Sequence, residues 1–127
     1  MIQTGTYLNV IDNSGAKKVY CIKIISGYRK RYAALGDLIL VSIKNLRSKR
    51  RSISKTKKGE IVKALIVRTK KGYKSFSGER LEFLQNSVVL LSNQHKLIGT
   101  RIFGSLPKFF RYTKFFRLLS LSSGLNR

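Results

Sequence analysis

The chain has 127 residues, with 27 Lys and Arg against 5 Asp and Glu, a formal charge of +22, yet 43% of its residues are hydrophobic. Its length fits one domain with one core and leaves no room for a second. The apolar fraction excludes a disordered basic tail, which would be poor in Val, Ile, Leu and aromatic residues.

Charge of this density calls for a polyanion. Among a nucleic-acid backbone, an anionic membrane and an acidic protein, the phosphate backbone comes first because its charge is dense and continuous. Self-repulsion weakens such a chain in isolation, so a bound polyanion is expected to be part of how it stays folded. No apolar run approaches the length of a membrane span, because Lys23, Lys44, Lys63 and Arg68 interrupt the longest ones. Met1-Ile2-Gln3-Thr4-Gly5 has neither the basic start and apolar core of a secretory signal nor the Arg-rich pattern of a transit peptide, so the protein is expected to work in the compartment where it is made.

In chain order, apolar segments of strand length recur at 6 to 11, 18 to 26, 38 to 46, 61 to 69 and 86 to 91, separated by Gly, Asn, Ser and charge. Leu8 and Val10 alternate with Asn9, and Ile39, Val41 and Ile43 share one face, a period of two that fits strands and not helices. The run 61 to 69 is apolar on both faces near its centre, as in a strand covered on both sides. The fold class read from this rhythm is mainly β, a small closed barrel of five or more strands that leaves no exposed sheet edges. Cys21 lies in the apolar run from Val19 to Ile22 and is read as a buried small hydrophobe; as the sole cysteine it excludes an internal disulfide.

Three connections stand out. Asp12-Asn13-Ser14-Gly15 is a turn cluster in which Gly15 can take a positive φ. Residues 27 to 37 form a basic loop bearing Tyr28 and Tyr32, and 47 to 59 gather cations without one anion, the composition of a projecting arm or extended hairpin. The chain changes character near Gly104: residues 1 to 104 read as the barrel with its arm, and 105 to 127 as a tail of two short helices. The first runs from Pro107 to Tyr112; the second, capped by Thr113, runs from Lys114 to Leu121 and stops at Gly124. Phe115, Leu118 and Leu119 make one apolar face, for which docking on the barrel is the leading reading and a membrane-surface helix the alternative.

Little here supports catalysis. Of the five carboxylates, Asp12, Asp37, Glu60, Glu79 and Glu82, only Glu79 and Glu82 form a close pair, and a solvated turn explains them without a pocket. One His, His95 in a polar loop, and one Cys do not make a metal site. Lys57-Lys58-Gly59 and Lys70-Lys71-Gly72 lack the spacing of a phosphate-binding loop. The expectation is no enzyme, no cofactor, no metal and no small-molecule substrate.

The positive signal concerns nucleic acid. Arg offers bidentate contacts to phosphate and Lys a flexible point charge, and both concentrate at 29 to 31, 47 to 58 and 68 to 74, in loops and strand ends. Tyr28, Tyr32 and Tyr73 are placed to stack on bases or sugars. No recognition helix or zinc finger is visible, so structured RNA, read by shape and by phosphate and 2′-hydroxyl contacts, fits better than DNA. The candidate RNA contacts are Asn13, Ser14, Lys17, Arg29, Lys30, Arg31, Tyr32, Arg47, Lys49, Arg50, Arg51, Lys55, Lys57, Lys58, Arg68, Lys70 and Lys71. Readings left open at this point include a free RNA chaperone or regulator and an anionic-membrane binder using the Phe-rich tail.

Several ordered segments resemble the universal large-subunit ribosomal protein L-fourteen family. They are Asn9-Val10-Ile11-Asp12-Asn13-Ser14-Gly15-Ala16, Cys21-Ile22-Lys23, Arg31-Tyr32-Ala33 with Gly36-Asp37, and Lys57-Lys58-Gly59 with Lys63-Ala64. The second half adds Val67-Arg68-Thr69-Lys70-Lys71-Gly72, Asn86 with Val89-Leu90-Leu91, Ile98-Gly99-Thr100-Arg101-Ile102-Phe103-Gly104, and Lys114-Phe115 with Leu118-Leu119-Ser120-Leu121. The resemblance runs from Met1 to about Leu121. It implies a closed five-stranded β-barrel with a helical C-terminal tail, no catalysis, and binding to large-subunit rRNA on the face that meets the small subunit. It further implies contact with small-subunit rRNA in an intersubunit bridge, the large-subunit protein L-nineteen as a neighbour, and no homo-oligomer. A ribosome-silencing factor would be received on a surface that includes Thr100, Arg101, Arg117 and Ser120.

Some positions depart from the family pattern. The segment 47 to 58 has no proline and more cations than is usual, Ser105 stands where proline is common, and Phe109-Phe110 replaces a Glu-Leu pair, which points to an extra partner or to different packing. A leaderless start with richness in Ile, Lys, Phe, Ser and Tyr points to an AT-biased organelle gene, with the mitochondrial matrix ahead of plastid or bacterial cytoplasm.

Overall fold

A computed structural model describes residues 1–47 and 54–126. Five strands close into a barrel in the order β1 (Tyr7–Val10), β2 (Ala16–Ile24), β3 (Leu38–Leu46), β4 (Ile61–Arg68) and β7 (Ser87–Leu91). Neighbours are antiparallel except where β7 returns parallel to β1, with Val10 opposite Val88. Every barrel strand thus has a partner on both sides, as the strand rhythm predicts.

Alternation decides what lies inside. Leu8, Val19, Cys21, Val41, Ile43, Ala64, Ile66 and Leu90 form the interior cluster, all buried. Cys21 is a free, fully buried thiol whose pKa burial raises, which bears out its reading as a small hydrophobe.

The opposite faces of β4 and β7 are covered as well. Leu65, Val67, Val89 and Leu91 pack with Ile102, Leu106, Phe110 and Leu118 into a second cluster outside the barrel wall. This accounts for the doubly apolar run of 61 to 69, because the C-terminal segment supplies the second cover. Docking of the tail on the barrel therefore holds.

The tail differs from expectation in its elements. Strand β8 (Ile102–Pro107) is followed by a 3-10 turn over Lys108–Tyr112, and the α-helix, α1, spans only Arg117–Leu121. The expected start at Lys114 fails because Thr113 turns the chain instead, its hydroxyl accepting from the Phe115 N–H at 3.3 Å and donating to the Phe110 carbonyl at 3.0 Å. Beyond α1 the chain forms a strand, β9 (Ser122–Asn126), that pairs parallel with β8 and places Gly124 opposite Ser105. A parallel pair needs a crossover, and the 3-10 turn and α1 provide it. A short hairpin of β5 (Tyr73–Lys74) and β6 (Arg80–Leu81) lies between β4 and β7.

Phe109 and Phe110 both take part in packing the tail. Phe110 is fully buried in the second cluster, and Phe109 stacks against it and against Tyr73, with ring centroids 5.5 and 5.8 Å away.

The turn Asp12-Asn13-Ser14-Gly15 ties the barrel to β8. The Asp12 carboxylate is fully buried and accepts from the Ser14 hydroxyl and amide and, across the barrel, from the Leu90 N–H at 3.1 Å. Asn13 Oδ1 accepts from the amides of Thr100 at 2.8 Å and Arg101 at 3.2 Å, and its Nδ2 donates to the Thr100 hydroxyl at 2.9 Å. Gly15 has a φ of +101°, and a Cβ there would collide with the Ser54 side chain, so the turn needs glycine on two counts.

Burial raises the Asp12 pKa, while the Ser14 and Leu90 bonds and the nearby charge of Arg47 pull it back. The folded protein therefore holds this proton more tightly than the unfolded chain does. Its stability falls as pH rises from the ordinary carboxylate value through the raised one. Asp12→Asn removes that slope, and at neutral pH it sets an amide donor against the N–H of either Leu90 or Ser14, which is expected to cost about 1–3 kcal/mol. Denaturant melts of both proteins across the acid range and at neutral pH check both statements.

Candidate nucleic-acid interface

The described candidate contacts fall into three groups. In the loop between β2 and β3, Tyr28 is 88% exposed and Tyr32 45%, so both retain aromatic surface for stacking, and the Arg29 guanidinium lies 5.3 Å from the Tyr28 ring centroid. Arg29 has a positive φ of 49°, a turn conformation that few residues adopt. Arg31 is exposed, whereas Lys30 is held by Asp37, whose carboxylate also accepts from the Ala34 amide.

The second group follows β3. Lys55, Lys57 and Lys58 are exposed, and Ser54 and Thr56 fold onto the Ser14 carbonyl. Lys49, Arg50 and Arg51, within residues 48 to 53 of the expected arm, lie outside the described residues. Lys70 and Lys71, both exposed, begin the third group at the end of β4.

Four of the candidate residues also carry packing roles. Ser14 is fully buried with its hydroxyl on Asp12. Asn13 spends its side chain on Thr100 and Arg101. Tyr73 has Phe109 against its ring and is half-buried. Arg68 is also half-buried: its Nε donates to the Ser105 carbonyl at 2.9 Å and Nη2 to the Phe103 carbonyl at 2.7 Å, which staples β4 to β8. A register shift between Ile66 and Arg68 precedes the pairing of Arg68 with Ser87, and Gly104, at φ +81°, leaves the Arg68 side chain room, since a Cβ there would meet the guanidinium.

Arg47 has a divided role, donating to the Val10 carbonyl at 3.2 Å while lying 5.1 Å from the Phe103 ring centroid. Arg101 lies 5.6 Å from the same ring. Thr100, Arg117 and Ser120 come together along a separate hollow of about 560 Å³ floored by Leu97, Phe115 and Leu118. Arg101 does not line it and sits with Phe103 instead.

Among the described residues no group of three His, Cys, Asp or Glu could hold a metal ion, and no helix is long and apolar enough to cross a membrane. Glu79 and Glu82 flank β6 as solvated groups, Glu82 paired with Arg80 at 2.6 Å. The cations dominate the electrostatics: Lys30–Asp37 and Arg80–Glu82 are the ion pairs among the described residues, so most Lys and Arg carry uncompensated charge.

Comparison with known families decides between a basic barrel of any kind and a specific one. The model of the family described as Ribosomal protein L14p/L23e matches residues 1–125. The chain belongs to that family. The match spans the barrel, the hairpin and the tail together, so the fold elements above are those of a structural, large-subunit ribosomal protein of the L14p/L23e family. Within that family frame, the buried Asp12 hub, the Arg68 staple and the packed Phe109-Phe110 pair are scaffold. The loop of 27 to 37, the lysines of 55 to 58 and 70 to 71, and Lys17 and Lys18 are among the exposed charge that remains.

Proposed function

We propose that this protein binds large-subunit rRNA as a structural component of the ribosome, by neutralising backbone phosphate and fitting RNA shape, and that it joins an intersubunit bridge to small-subunit rRNA. The observation that carries the reading is the distribution of charge: the barrel builds its core from two apolar clusters and presents Lys and Arg, few of them paired with a carboxylate, on loops and strand ends. Side chains in those places reach a polyanion without disturbing the core. The exposed rings of Tyr28 and Tyr32 add stacking surface, which single-stranded or bulged RNA offers and duplex DNA does not.

Large-subunit protein L-nineteen is the proposed protein neighbour. The hollow of Thr100, Arg117 and Ser120 is the proposed seat of a ribosome-silencing factor, with apolar floor and cationic rim in the right combination for an acidic, partly apolar partner. The mitochondrial ribosome is the proposed setting, on the Ile-, Lys- and Phe-rich composition.

The purified chain is expected to bind deproteinised large-subunit rRNA in a filter assay and to remain at the bottom of a flotation gradient with anionic liposomes. Flotation with the liposomes, together with no retention of the RNA, would replace this reading with the membrane one.

A further inference from the structure

We propose that a cleft at one end of the barrel clamps a single phosphodiester of the RNA between Lys17 and Arg47. This deepens, and rests on, the RNA-binding reading. The cleft has a volume of about 460 Å³ and is lined among others by Asn9, Lys17, Arg47, Arg68, Gln85 and Phe103, with no carboxylate in its wall. That volume lies within the range of small-ligand clefts and is ample for a phosphate with its attached ribose.

The sequence pattern builds the cleft for a reason. Strand β2 pairs Ala16 with Leu46 and Lys18 with Asn45, so Lys17 is an extra residue pushed out of the ladder. The bulge leaves Lys17 and Lys18 exposed one after the other, and it sets Lys17 beside the end of β3, where the Arg47 amide donates to the Gly15 carbonyl at 2.9 Å. Arg47 is then fixed by its bond to the Val10 carbonyl and by the Phe103 ring, so its guanidinium is held in place before any ligand arrives.

The remaining wall also suits an anion. Arg68 is pinned by two carbonyls of β8 and contributes a fixed, partly desolvated positive charge. Asn9 donates to Gln85 Oε1 at 2.8 Å, which leaves the Gln85 amide nitrogen without a partner among the described residues and available to a phosphate oxygen. Asp12, whose charge interacts with that of Arg47, is buried, bonded to Ser14 and Leu90, and does not line the cleft. A flexible lysine, a preset guanidinium and an amide donor around one hollow match the acceptor-only oxygens of a phosphodiester.

The test is phosphate-ethylation interference with the full chain on deproteinised large-subunit rRNA, comparing wild type, Lys17→Gln, Arg47→Gln and, as a neighbouring exposed control, Lys18→Gln. One ethylated position that blocks wild type is expected to become harmless to both Lys17→Gln and Arg47→Gln but not to Lys18→Gln, and each of the two variants is expected to lower the salt slope of binding by about one. Should Arg47→Gln fail to fold, Arg47→Lys, which keeps the charge and loses the fork, replaces it and is expected to weaken interference at that same position. Loss of different positions by the two variants, or of none, overturns the clamp. A wild type with no interference pattern and no salt slope removes the RNA-binding reading itself and the clamp with it.

Discussion

Replacing Phe110 with Ala is expected to cost about 3–5 kcal/mol, the range for removing a fully buried aromatic side chain from a packed core. Its ring has no exposed surface and sits among Leu65, Val67, Leu106 and Leu118 on the outer faces of β4 and β7. Neighbouring strands are hydrogen-bonded around the whole barrel, so those faces cannot rearrange to fill the space, and the cavity remains. A loss of that size lowers the midpoint of thermal unfolding by roughly 10 °C or more in a domain of this length. Phe109→Ala is the internal comparison: the ring is 38% exposed, so a smaller loss is expected from the adjacent position. Differential scanning calorimetry of the two variants measures both, and equal, small shifts would show that the second cluster does not hold the tail.

The other large effect is on RNA binding. If roughly six to ten phosphates are contacted, affinity for large-subunit rRNA is expected to fall about a thousandfold or more between 50 and 200 mM salt, because each neutralised phosphate releases a condensed counterion. The structure supports a slope of this steepness, since exposed Lys and Arg in the 27 to 37 loop and at 55 to 58 and 70 to 71 have few carboxylate partners. Filter binding across a salt series gives the slope directly. A shallow dependence would mean that aromatic stacking or polar contacts dominate, which Tyr28 and Tyr32 alone are too few to supply.

Much of the barrel was legible because its strands carry their own evidence. Ile39, Val41 and Ile43 alternate without interruption, and β3 runs from Leu38 to Leu46, the full extent of that segment. Strand β2 starts two residues before the segment read from 18 to 26, because Lys17 is a bulge residue and two successive exposed lysines do not look like a ladder. The tail was read less well. Thr113 and Gly124 are ordinary helix signals, but Thr113 closes a 3-10 turn, and Gly124 lies in a strand whose partner, β8, is remote in sequence.

The same division holds for the candidate site. Exposed cations in charge-rich loops were visible from composition alone. The structural bonds of Arg68 and Asn13 are not legible in the same way, because their partners are groups on a distant segment, the Phe103 and Ser105 carbonyls for one and Thr100 and Arg101 for the other. Nothing in the local sequence around either residue announces such a bond. Family resemblance was legible from the ordered segments, and the match over 1–125 bears it out.

Sucrose-gradient sedimentation of a lysate containing the tagged full-length chain tests the central claim most directly. The protein is expected to co-migrate with large ribosomal subunits and to stay with them through a high-salt wash, since the many contacts of an assembled subunit hold it far better than free RNA does. Release into the light fractions at low salt, with the subunits intact and lacking the chain, would contradict the account and favour a free RNA chaperone or regulator.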